Sequence, residues 1–243
     1  MAKAAAKGTT KRIIVLANSM KHAPSRCIAG REIIDEGNTY SIGKWIRPVS
    51  AHDEGALFPG ESQLSNGKQP KILDIVDIPL LKQMSDPLQP ENWLIDKSRR
   101  WSLMNAHYDT PDLPLLSVSP PHLWREPDGL TDRVSAEFLK TKKLNNSIRL
   151  IHVPEITLQF GWRAWQGQYR QRRRVIFDYK GETYDLSVTD PEFVEKHADK
   201  IPSQGKKATE CQLRPPNGFH LCVSLAPELN GYHYKVVATV LEG

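Results

Sequence analysis

The chain has 243 residues, with 33 Lys and Arg against 28 Asp and Glu, a formal net charge of +5 and a pI near 9.0. A composition of 39% hydrophobic and 25% charged residues excludes global disorder, and no apolar run approaches the roughly 18 residues that a membrane helix needs. The small basic excess permits a polyanionic partner without requiring one.

Three cysteines, Cys27, Cys211 and Cys222, form no CxxC pair and are odd in number. That argues against a disulfide framework and a cysteine-built zinc site, and fits a reducing cytoplasm. The opening MAKAAAKGTTKR lacks the apolar centre of a signal peptide, so residues 1–10 read as a disordered basic tail.

From residue 11 the chain reads as β. Lys11 to Ala17, Arg26 to Ile34 and Thr39 to Val49 are strand candidates, with Gly30 marking a bulge in the second. Residues 50–70 are polar and irregular, the kind of long loop that is functional or poorly ordered. Lys71 to Leu80 and Glu91 to Asp96 give a fourth and a fifth strand. Prolines 111, 114, 120, 121 and 127 then exclude long helices and mark a wrapping connection that holds the domain boundary. Over 129–146, Val134, Phe138 and Leu139 stand at helical spacing, with Thr131 or Asp132 as cap, which predicts a connecting helix.

Residues 147–243 are the clearer half. A strand or strand pair broken near Pro154 is followed by a hairpin and then by Asp190-Pro191-Glu192, a capped helix start. Phe219 to Leu225 and His233 to Leu241 are two further strands. Strand, strand, strand, helix, strand, strand is the order of an OB-fold. The expected fold is therefore mainly β with short helices, as two OB-like Greek-key β-barrels in tandem, at 11–128 and 147–243.

The stretch FGWRAWQGQYRQRRRVIFDY, Phe160 to Tyr179, carries the strongest functional signal. Its period of two sets Arg173, Val175, Phe177 and Tyr179 on one face and Arg172, Arg174, Ile176 and Asp178 on the other. Arg163, Arg170, Arg172, Arg173 and Arg174 can pair with phosphates, and Trp162, Trp165 and Tyr169 offer stacking surfaces for bases. A solvated strand mouth and core tryptophans are the plainer reading of the same residues.

Chemistry is harder to find. The eight histidines show no HxH or HExxH spacing, and no phosphate-binding glycine loop occurs. No metal or cofactor is expected. The best enzyme candidate is the patch of Asn18, Ser19, Lys21, His22, Arg26, Cys27 and Arg47, in which Lys21, Arg26 and Arg47 could form an anion pocket. Its structural reading makes Cys27 a small core residue. Trp45, Trp93, Trp101 and Trp124 would serve as interface anchors if the protein were an adaptor docking on a nuclease or helicase.

The blocks RIIVLANSMKH, RCIAG and KWIRPVS, then KILDIVDIPL with QPENWLID, then VIFDYKGETYDLSVTDP with LCVSLAPELNGYHYKVVATVL resemble the bacterial dual OB-domain family, from about Arg12 to Leu241. The resemblance implies two OB barrels and binding of single-stranded or structured DNA or RNA. It also implies an accessory role beside a nuclease or helicase in a bacterial defence system. It carries over no catalytic motif.

Overall fold

In the computed structural model the described residues are 8–20, 22–52, 55–165 and 167–243, the side chain of Trp165 excepted. They divide into two compact units, the first running to Asp112 and including Lys143–Ser147, the second comprising Leu113–Lys142 and Ile148–Gly243. Residues 113–128, expected in the first barrel, thus fall in the second unit together with most of the expected connecting segment.

The first unit contains β1 (Thr9–Met20), β2 (Arg26–Asp35), β3 (Tyr40–Val49), β4 (Asp74–Gln83), β5 (Asn92–Ile95) and β6 (Ser102–His107). The sheet runs β1-β2-β3-β5-β4-β6, and β1 also pairs with β4, which closes the first five strands into a barrel. β3 and β5 are parallel while the other pairs are antiparallel. This is the Greek-key path of an OB-fold. Ile13, Val15, Ile28, Ile46, Val76, Ile78 and Trp101 fill the barrel. Gly30 sits opposite Val15 where the β1 register slips, and a Cβ there would stand 2.0 Å from the Ile14 carbonyl oxygen. Only the missing side chain lets the two backbones approach so closely.

Several expectations change in this unit. Thr9 and Thr10 already pair with Leu80 and Pro79, so the strand begins inside the expected tail. The later part of the 50–70 connection, residues 55–70, is held against the barrel. Leu57 and Leu64 join the barrel core, and Leu57 exchanges backbone hydrogen bonds of 2.8 and 2.9 Å with Arg26. β6, SLMNAH, lies where only a wrapping connection was expected, because it is an exposed strand held by β4 and has little apolar alternation of its own. Trp45 and Trp101 are buried, which removes both as interface anchors, while Trp93 is half-buried and packs against the core.

The second unit opens with the short α1 (Leu113–Leu116), followed by β7 (Arg133–Ser135), α2 (Ala136–Lys140), β8 (Ile148–Val153), β9 (Ile156–Trp165), β10 (Gln168–Tyr179), β11 (Glu182–Val188), α3 (Pro191–Lys196), β12 (Thr209–Leu213), β13 (Phe219–Leu229) and β14 (Tyr232–Glu242). The sheet path is β12-β9-β10-β11-β14-β13-β8, with β11 and β14 parallel. β8 and β9 are separated only by Pro154 and Glu155, so they serve as two halves of one broken first strand and link the ends of an OB path. α3 falls between the third and fourth strands of that path. Its cap is Asp190, whose Oδ1 accepts from Phe193 N at 3.0 Å while Oδ2 accepts from Val240 N at 3.0 Å, tying the helix to β14.

The expected helix over 129–146 shrinks to five residues. Val134 is captured by β14, where it pairs with His233 and is 1% exposed, so Arg133–Ser135 is strand. The cap is Ser135, not Thr131 or Asp132: its Oγ accepts from Phe138 N at 3.1 Å. β12 is a further half-exposed strand without apolar alternation. Trp124 is buried beneath Arg149, whose guanidinium lies 4.4 Å from the ring centre, so it is no interface anchor either.

Candidate nucleic-acid interface

Lys180 and Gly181, with φ of 52° and 82°, form a two-residue turn that fixes the β10/β11 register. Tyr179 therefore faces Glu182, and Arg174 faces Ser187. Across β9, Arg170 faces Arg163, Arg172 faces Gly161 and Arg174 faces Gln159. Phe160, Leu158, Val175 and Phe177 occupy the alternate positions and are buried, so Arg163, Arg170, Arg172 and Arg174 share the outer face of the barrel wall. An OB barrel takes oligomeric ligands on the face of its second and third strands, and β10 and β11 hold those positions here.

The arginines differ in how their charge is met. Arg174 donates from Nε to Asp185 Oδ1 at 2.6 Å and from an Nη to Ser187 Oγ at 3.0 Å, so it is clamped against β11. Arg172 reaches the other Asp185 oxygen at 3.4 Å, a long contact between two half-exposed side chains that contributes little. Arg163 and Arg170 are like charges set directly opposite one another across the two strands. Together with Arg173 they border a groove of ≈ 350 Å³.

The aromatic part of the expected site is distributed otherwise. Trp162 pairs with Gln171 and Tyr169 with Ala164, on the face opposite the arginine row. The Trp162 indole N–H donates to Pro202 O at 2.7 Å and its ring is half-buried, while Tyr169 is exposed. The side chain of Trp165 lies outside the described residues. Arg173 faces away from Arg172 and Arg174, as its alternation requires, and donates from Nε to Gln171 at 2.5 Å. Asp185 and Ser187 were missed in the sequence. A turn placed at Lys180-Gly181 alone would have set Ser187 opposite Arg174 and Asp185 opposite Ile176, on the arginine face and diagonal to Arg174.

The N-terminal patch keeps Asn18, Ser19, Arg26 and Cys27 together on β1 and β2 but loses Arg47. Arg47 is buried and pairs with Glu91 at 3.1 Å, while its guanidinium also donates to Ser147 Oγ at 3.0 Å. Ser147 is completely buried and donates to Glu91 through both its hydroxyl and its backbone N–H. Arg47 is thus part of a buried ionic cluster and not of an open anion pocket. Lys21 lies outside the described residues. Asn18 donates to Pro70 O at 3.0 Å, Ser19 to Cys27 O at 3.5 Å, and Cys27 is half-buried rather than core. Elsewhere on the first barrel, Lys11 pairs with Glu32 and Arg12 with Asp77, so the cations of β1 are met by carboxylates. Among the described residues no group of three or more His, Cys, Asp or Glu could hold a metal ion. No described helix is long and apolar enough to cross a membrane.

A family model described as a dual OB-containing domain matches residues 11–240. Comparison with curated proteins returns no match.

Proposed function

Since the chain belongs to the dual OB-containing domain family, we propose that it is a nucleic-acid-binding protein whose contact surface is the arginine groove of the second barrel. The observation that carries the reading is the facing pair Arg163 and Arg170, continued by Arg172 along the same outer face of β10. Arg174 is a positioning residue, because Asp185 and Ser187 already occupy its guanidinium. The protein supplies binding and leaves chemistry to a partner, a nuclease or helicase that it accompanies as an accessory subunit in bacterial defence.

Binding across a salt series tests this. Each phosphate neutralised releases condensed counterion, so Arg170→Ala and Arg172→Ala should each flatten the slope of log K against log salt by about 0.7 to 0.9. Arg174→Ala should weaken binding through loss of order in the groove, with a smaller change in slope. Salt-independent binding, or slopes unchanged in both outer-face variants, would refute the groove as the contact surface.

A further inference from the structure

We propose that the β9/β10 arm is a probe for the major groove of a B-form DNA duplex, an inference that rests on the nucleic-acid reading above and names its substrate class. β12 stops opposite Phe160 and β11 stops opposite Arg174, so Gly161–Trp165 and Gln168–Arg172 pair only with each other. The result is a two-stranded ribbon that continues past the barrel wall. Five residues at about 3.3 Å each make an arm about 16 Å long, and strands about 4.8 Å apart keep it narrow. The DNA major groove, about 12 Å wide and about 8.5 Å deep, admits such a ribbon.

Both faces of the arm carry groups suited to a polar, anionic wall. Arg163, Arg170 and Arg172 stand on one face, with Gln171 and the exposed Tyr169 on the other and Arg173 at the root, opposite Phe160. A single strand laid on the barrel meets one face only, whereas the walls of a groove meet both. The root of the arm is fixed: Trp162 bonds to Pro202 O, and a Cβ on Gly161 would stand 3.1 Å from Ala208 Cβ. Trp162 is therefore an anchor for the ribbon and not a platform for a base. A-form RNA closes this route, because its major groove is too narrow for side chains to read.

The experiment measures binding of the full chain to a short DNA duplex, to one of its strands and to the RNA duplex of the same sequence, at equal salt. The DNA duplex should bind on the order of tenfold tighter than either alternative, since only it offers an accessible major groove. Methyl green, a major-groove ligand, should displace the protein while the minor-groove ligand netropsin leaves it bound. Arg170→Ala, with an unchanged circular dichroism spectrum, should weaken duplex binding more than single-strand binding. Equal or tighter binding of the single strand or the RNA duplex, or displacement by netropsin, would overturn the groove assignment while leaving the nucleic-acid reading in place. Absence of binding to all three probes would overturn both.

Discussion

Lys235 gives the sharpest stability prediction. It sits on β14, 2% exposed, with its Nζ donating to the carbonyls of Thr131 at 2.8 Å and Arg133 at 3.2 Å. Burial lowers its pKa from 10.5 to about 8, against a smaller opposing effect of Asp132. Above about pH 8 the folded protein has released this proton while the unfolded chain still holds it. The unfolded state then binds more protons, so stability rises with pH until the unfolded value of 10.5 is passed. Integrating between those two pKa values gives a gain of about 1.4 kcal/mol by pH 9 and about 2.5 kcal/mol by pH 10, relative to neutral pH. Other groups titrate in the same range, and the Lys235→Met variant removes only this contribution. Urea unfolding of both proteins from pH 7 to 10 should show the wild type gaining on the variant by those amounts. Parallel pH profiles would refute the claim that a buried ammonium is retained at neutral pH.

Three further perturbations test the packing. Glu91→Ala leaves the Arg47 guanidinium buried without its carboxylate, and the first unit should lose about 3 to 5 kcal/mol in urea unfolding; a loss below about 1 kcal/mol would mean that water replaces the carboxylate. Gly30→Ala drives a methyl into the Ile14 carbonyl and should cost about 1 to 3 kcal/mol, visible as a lower melting temperature, with no effect on the nucleic-acid salt slope. Asp190→Ala removes the α3 cap and strands the Val240 N–H. It should cost about 1 to 2 kcal/mol by thermal unfolding, and Asp190→Asn should recover only part of that, because its single amide oxygen can accept from Phe193 N while its NH2 cannot accept from Val240 N.

Much of the fold was legible because its signals are local. The break at Pro154, the turn after Tyr179, the cap at Asp190 with Pro191 behind it and the alternation from Arg172 to Tyr179 each lie within a few residues, and each appears in the structure. The order of strands around the helix then allowed few arrangements other than an OB path. The arginine row was legible for the same reason, since a period of two assigns faces without knowledge of any partner.

What the sequence did not reveal depends on distant residues. β6 and β12 exist because β4 and β9 offer them a hydrogen-bonding edge, and an exposed strand needs no apolar alternation to accept it. Val134 looked helical until β14, some hundred residues later, supplied a strand for it to join. The charges were decided in the same way. Arg47 and Arg172 are indistinguishable as letters, yet Glu91 and Ser147 hold the first in the core while the second remains on the surface with one long contact to Asp185. Local periodicity assigns a side chain to a face. Whether its charge is already neutralised there is set by groups that only the folded chain brings within hydrogen-bonding distance.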